Sequence, residues 1–234
     1  MPINHRLYST MNTASNSLKT TARLTGLWYL LMVISGILGF LIFHPKIFTT
    51  GDPNSTLQNL INDDSIARIR LLLEFAIILA QVLTAFWFYK LFRSINESAA
   101  WAIAIWGTVN AVAIMISAIA MGSAIDIAGS SLAMDDQIIL ISAFQGIIEH
   151  SWAAGSIFFG LWLIPMGHIV ISSRRMPVWL GYTLIIGGTW YILSTLLYYF
   201  GIEASVTNYL TYPATIGEFW MIGYLLIFGI RPVE

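Results

Sequence analysis

Six long apolar runs constrain this chain more than any other feature: residues 24–43, 71–92, 99–121, 152–171, 178–200 and 212–230. Each supplies the ~20 mostly apolar residues that an α-helix needs to cross the hydrocarbon core of a bilayer. A helix satisfies its own backbone donors and acceptors, so lipid tolerates it; the alternative, a closed β-barrel, needs alternating residues, and these runs are continuous. Composition agrees. Of 234 residues, 57% are apolar and 10% are charged, against about 25% charged in a soluble domain. A water-soluble globule, a disordered chain and a nucleic-acid binder are excluded. With 11 basic and 12 acidic residues, the net charge of −1 gives no bulk attraction to nucleic acid. The chain has no cysteine, which removes disulfides, thiolate nucleophiles and thiolate metal sites.

The expected fold is all-α: a six-transmembrane-helix bundle, with residues 1–20 as a flexible cytoplasmic tail and 21–231 as a single membrane domain. The first run is longer than the 7–15 residues of a signal-peptide core and no small-residue cleavage site follows it, so it stays as a span. Orientation follows the Lys/Arg bias. Arg6, Lys19, Arg23, Lys90, Arg93, Arg174, Arg175 and Arg231 fall on one side, and Lys46, Arg68 and Arg70 on the other, a split of 8 to 3. That places both termini in the cytoplasm of a bacterial inner membrane, as an even number of spans requires.

The outer connections carry their own signals. Gly51-Asp52-Pro53-Asn54 marks a turn. The following segment, with Leu57, Leu60 and Ile61 on one face, reads as a short interfacial helix. Asp63-Asp64-Ser65 then reads as the cap of the second span. The third connection, roughly 123–150, contains acids and no bases, and its apolar stretch 138–148 fits either a re-entrant helix or an extension of the fourth span. Trp28, Tyr29, Trp87, Tyr89, Trp101, Trp179, Tyr182, Tyr198 and Tyr199 lie near predicted boundaries, as an aromatic belt does. Gly107-x-x-x-Ala111, Gly187-Gly188 and Gly223 offer small faces for close helix contact.

Ionisable and amide side chains inside a bilayer are costly, which makes them the informative ones. Glu74 lies a turn inside the second span and Gln81 two turns further along. Glu218 lies about 8 Å inside the sixth span at 1.5 Å per residue, with Thr211 and Thr215 on its face. Glu149 and His150 enter the fourth span, and Gln145, Glu149, Trp152 and Ser156 form one stripe there. Asn110 is near the middle of the third span. The set shares one depth and points to an outward-facing carboxylate pocket. In it Glu218 would serve as acid, Glu74 as base or partner, and Glu149 and His150 as the mouth. Gln81, Asn110, Gln145, Trp152, Trp220 and Tyr224 would contact substrate. Structural explanations stand beside these roles. Arg70, one turn before Glu74, can pair with it; Glu149, His150 and His168 can sit in the headgroup layer; Asn110 and Gln81 can join helices. No metal site is expected, because adjacent Glu149 and His150 point about 100° apart on a helix. No cofactor motif is present.

Several segments resemble one family in their order along the chain. Ala22-Arg23-Leu24-Thr25-Gly26-Leu27-Trp28-Tyr29-Leu30 is similar to the opening of the bacterial domain-of-unknown-function family 4386. Phe88-Tyr89-Lys90-Leu91-Phe92-Arg93 resembles the end of its second span. Phe158-Phe159-Gly160-Leu161-Trp162 and Met176-Pro177-Val178-Trp179-Leu180-Gly181 resemble its fourth-to-fifth junction, and Ile216-Gly217-Glu218-Phe219-Trp220 resembles its last span. The resemblance implies a bacterial inner-membrane protein and no activity, and it puts Glu218 in a family motif. The functional expectation is a protein that binds or acts on a lipidic or isoprenoid small molecule, with membrane lipids as its other partners. Acid-initiated isoprenoid cyclisation is one chemistry for such a pocket, with Trp152, Trp220 and Tyr224 stabilising a carbocation. The alternatives are a small proton-coupled transporter and a non-catalytic membrane subunit or sensor.

Overall fold

A computed structural model describes residues 3–202, 207 and 209–231, with side chains from residue 17 onward. The described residues contain helices and no strand. Helix α1, Ile3–Gly36, passes into a π-helical segment, Ile37–Phe43, and a short α2, His44–Ile47. Then come α3 (Pro53–Asn62), α4 (Asp64–Phe92), α5 (Glu97–Ala128), α6 (Met134–Ser173), α7 (Val178–Tyr199) and α8 (Tyr212–Ile227). Residues 3–20, polar enough to read as a tail, carry helical backbone continuous with the first span. Extending an existing helix is far easier than nucleating one.

Among the described residues, five helices are long and apolar enough to cross a membrane: Ser17–Ile47, Asp64–Phe92, Glu97–Ala128, Met134–Ser173 and Val178–Tyr199. Their outward faces match the solvent they are built for. Leu72, Leu79 and Phe86 on α4, Ile105, Val112 and Ile119 on α5, and Trp179, Ile186 and Leu193 on α7 recur every seven residues and are all exposed. A multi-pass membrane protein presents such stripes to lipid, whereas a water-soluble monomer rarely exposes apolar patches this large. The sixth apolar run is only partly helical. Helix α8 has 16 residues, about 24 Å at 1.5 Å per residue, short of a ~30 Å hydrocarbon core. It stops where Gly229 takes φ +72° and the N–H groups of Phe228 and Gly229 both bond to the Tyr224 carbonyl, a C-terminal cap.

The third connection takes one of the two forms its sequence allowed. Helix α5 runs to Ala128 and α6 starts at Met134, so 138–148 extends the fourth span and no re-entrant helix intervenes. The break falls at Gly129-Ser130-Ser131, which favours turns. Gln137 closes it by donating to the Ile127 and Ser130 carbonyls at 2.9 and 3.1 Å.

Contacts divide the chain into two compact units whose boundaries fall inside α1, α4, α5 and α6. The first comprises residues 1–30, 82–107 and 157–234. In it α6 and α7 meet through glycines seven residues apart on each helix. A Cβ on Gly160 would come 2.6 Å from the Gly188 carbonyl oxygen, and one on Gly167 would come 2.5 Å from that of Gly181. Gly187 backs onto Ala214 of α8, where a Cβ would lie 2.5 Å from Cα. Removing the side chain is what allows this approach. Gly223 faces open space instead, so its place in a small-residue contact is corrected. Gly107 is a true close contact, since a Cβ there would come within 3.0 Å of both Trp162 and Ala85.

The second unit comprises residues 31–81 and 108–156. Ile47, Phe48, Leu57, Leu60, Met121, Ile125, Ile141 and Ile148 form its core. Helix α3 is fixed to α2 by Asn59, which donates to the Ile47 carbonyl at 3.2 Å. Asp52 caps it by accepting from the Ser55 N–H at 3.0 Å and hydroxyl at 2.6 Å. Those bonds hold the Asp52 carboxyl below the usual carboxylate range. Leu57 and Leu60 are buried while Ile61 is exposed, so the apolar face is narrower than the sequence implied.

Candidate functional site

Each of the two buried glutamates is satisfied within one unit. In the second unit α4 places Arg70, Glu74 and Gln81 on its inward side, all with 1% exposure or less. Arg70 and Glu74 are four residues apart and form an ion pair through Nη1 and Oε2. The other carboxylate oxygen accepts from Trp152 Nε1 at 3.2 Å, and the same indole N–H lies 3.0 Å from Ser117 Oγ. Glu74 is thus held by one cation and one neutral donor, as a buried carboxylate requires. Phe40 stacks obliquely on Trp152, with centroids 4.0 Å apart, and the Arg70 guanidinium lies 4.8 Å from the Phe40 ring and 5.9 Å from Phe48. His44 stacks between those two rings at 5.5 and 4.8 Å. The π-helical segment carries Phe40, and such segments recur at functional sites.

An open groove of about 480 Å³ borders this network. Gly36, Ile37, Phe40, Leu41 and His44 form one wall, and Ile148, Glu149 and Trp152 of α6 form the other. Glu149 is exposed and accepts from Gln145 Nε2 at 3.1 Å. His150 lines a different groove of about 500 Å³ with Ala113, Ile116, Gly146 and Ala154. The pair Glu149–His150 therefore does not share a mouth; neighbouring helical residues diverge. Asn110 is buried against Gly155, where a Cβ would lie 2.7 Å from its Oδ1. Gln81 Nε2 has no partner among the described residues. No cluster of three or more His, Asp or Glu is placed to hold a metal ion among the described residues.

In the first unit Glu218 of α8 is 8% exposed and accepts from the Tyr29 hydroxyl at 2.5 Å. Tyr29 is fully buried, edge-on to Phe88 at 5.7 Å and to Trp162 at 5.4 Å. Tyr29 thus leaves the aromatic belt to which its position assigned it. Trp101, Trp179, Tyr182, Tyr198 and Tyr199 are exposed, as belt residues are. The rings packed on Tyr29, the partner of Glu218, are Phe88 and Trp162. Trp152 belongs to the second unit, and Trp220, two residues beyond Glu218, is 39% exposed on another face of α8. Tyr224 is buried beside Phe228, with centroids 5.3 Å apart.

Comparison with known proteins fits this architecture. The family described as domain of unknown function DUF4386 matches residues 24–229, nearly the whole chain, and includes both buried glutamates. The chain belongs to the DUF4386 family. A protein of Archaeoglobus fulgidus, described only as uncharacterized, is 33% identical over 82 residues, which are 35% of this chain and 48% of that protein. The chain therefore aligns with about half the length of that relative. No solved structure matches this DUF4386 protein.

Sequence reading singled out Glu74, Glu218 and Trp152, and the Arg70–Glu74 pair it offered is present. It missed Phe40, His44, Phe48 and Ser117 around Glu74, and Tyr29 and Trp162 around Glu218. The i, i+4 series Phe40, His44, Phe48 was visible as a stripe of rings on one helical face. Nothing local marked the Tyr29–Glu218 pair, whose members are 189 residues apart.

Proposed function

We propose that this chain is a six-span inner-membrane protein that holds a single-chain lipidic or isoprenoid molecule in the groove beside the Arg70–Glu74 pair. The observation that carries the reading is the groove itself. Its volume, about 480 Å³, lies within the ~300–1,000 Å³ of small-molecule sites, and its walls are apolar with few polar groups, as such sites are. Trp152 lines the groove and is held in place by Glu74 and Ser117. A preorganised aromatic wall of this kind lowers the ordering cost of binding. In this reading α8, with its flanking residues, is the sixth span and α3 lies at the outer interface. The 8-to-3 split of Lys and Arg puts both termini in the cytoplasm. The end of the first span that leads into α2 and α3 is then the outer one, so the groove opens outward. Glu149 stands at its rim.

The test uses Gly36. A Cβ there meets nothing within 4 Å, so a side chain can start at this position, and Gly36→Phe adds a ring to the groove wall. Native mass spectrometry of gently extracted protein is expected to show a bound molecule of lipid mass on the wild type and none on Gly36→Phe. A wild type that is bare, or a variant that retains the mass, would overturn the reading.

A further inference from the structure

The geometry points to the free edge of the Arg70 guanidinium as the docking site for a two-oxygen acidic head, a carboxylate or the equivalent oxygens of a phosphate. The inference rests on the groove reading above and names the head of its ligand. A guanidinium is planar, and its donors leave in the plane. Arg70 gives Nη1 to Glu74. Its Nε and Nη2 are buried and have no partner among the described residues. Those two nitrogens share one edge and point the same way, which is the side-on fork that matches a carboxylate bidentately. Arg70 itself has 0% exposure, and buried donors of a charged group are almost always satisfied. Glu74 does not satisfy them, since it engages Arg70 through Nη1 alone.

The Phe40 and Phe48 rings lie at 4.8 and 5.9 Å from the guanidinium carbon. The same two rings sandwich His44, whose Nδ1 is also buried without a partner among the described residues. Phe40 and His44 are groove-lining residues and Phe40 packs against Arg70, so an apolar chain lying in the groove brings its head to the ring that contacts the guanidinium. The site selects an anionic two-oxygen head over a hydroxyl on the same chain, since only the former fills both donors at once.

The experiment measures binding of oleate, oleyl alcohol and inorganic phosphate to the delipidated full-length protein in detergent, at a pH where oleate is ionised. Wild type is compared with Arg70→Lys, which keeps a cation for Glu74 and removes the planar fork. Oleate is expected to bind about tenfold or more tighter than oleyl alcohol, the scale of a charge-assisted pair of hydrogen bonds. In Arg70→Lys that preference should vanish. Should that variant fail to fold, the wild-type comparison stands alone, and His44→Phe, which keeps the ring stack, is expected to weaken oleate selectively. Displacement of oleate by phosphate would support the edge as a site for a free anion, and failure to displace it would support a lipid head held by its chain. Equal binding of oleate and oleyl alcohol by wild type overturns this inference and leaves the groove standing. Absence of binding by either overturns the groove reading itself.

Discussion

Two buried carboxyls in this chain have opposite kinds of partner. Glu74 faces a guanidinium and an indole N–H, whereas Glu218 faces the neutral phenol of Tyr29. The consequence is testable at Tyr29. Tyr29→Phe removes the one donor seen on Glu218 and leaves a buried acceptor bare, which costs about 1–3 kcal/mol. Thermal unfolding in detergent should show a clearly lowered midpoint for Tyr29→Phe. Glu218→Gln, which still presents a carbonyl oxygen to the phenol, should lose less. A Tyr29→Phe midpoint equal to wild type would show that the bond contributes nothing. The residue scale is also where legibility was most uneven. The Arg70–Glu74 pair could be read directly, because i, i+4 spacing puts both side chains on one helical face. Tyr29 was assigned to the belt because aromatic residues near a span boundary usually sit there. Depth depends on how far the helix continues, and α1 begins at Ile3. The chemistry of Glu218 could be suspected from its isolation from bases in sequence, but its partner comes from the other end of the chain.

At the scale of elements, the length of the apolar runs located the five membrane-length helices among the described residues, and turn residues located α3 through Asp52-Pro53 and its cap. Two elements escaped. The π-helical segment Ile37–Phe43 is uniformly apolar apart from Gly39 and carries no residue that demands a wider turn. The start of α6 was the other, because the stretch 138–148 fitted a re-entrant helix as well as an extension of the fourth span; Asp135 and Asp136 occupy the first turn of α6, where the helix dipole favours them. The short turns that result make topology measurable. Ser94 lies in the turn between α4 and α5, Ser131 lies in the turn between α5 and α6, both are exposed, and the chain has no native cysteine. Single Ser94→Cys and Ser131→Cys variants in intact cells should differ: a membrane-impermeant maleimide is expected to label Ser131→Cys and not Ser94→Cys. The reverse pattern would invert the orientation. Labelling of both would contradict α5 as a span.

The whole molecule places apolar stripes outside and polar groups inside, the arrangement of a chain dissolved in lipid. That much was legible from composition, since 23 charged residues cannot coat a globule of 234. How the polar residues sort was not legible, because sequence spacing fixes which face of a helix a residue occupies and not which helix it meets. The carboxyls that looked like one cluster belong to two compact units, each with its own partners. The central claim concerns the second unit, where the groove lies against the Arg70–Glu74–Trp152 network. The measurement that tests it most directly is photolabelling of the full-length protein with a diazirine-bearing fatty acid, followed by peptide mapping. The account predicts adducts on residues 36–44 and 148–152 that are displaced by excess oleate. Adducts confined to the outer stripes at Leu72, Ile119 or Ile186, with the groove unlabelled, would contradict it.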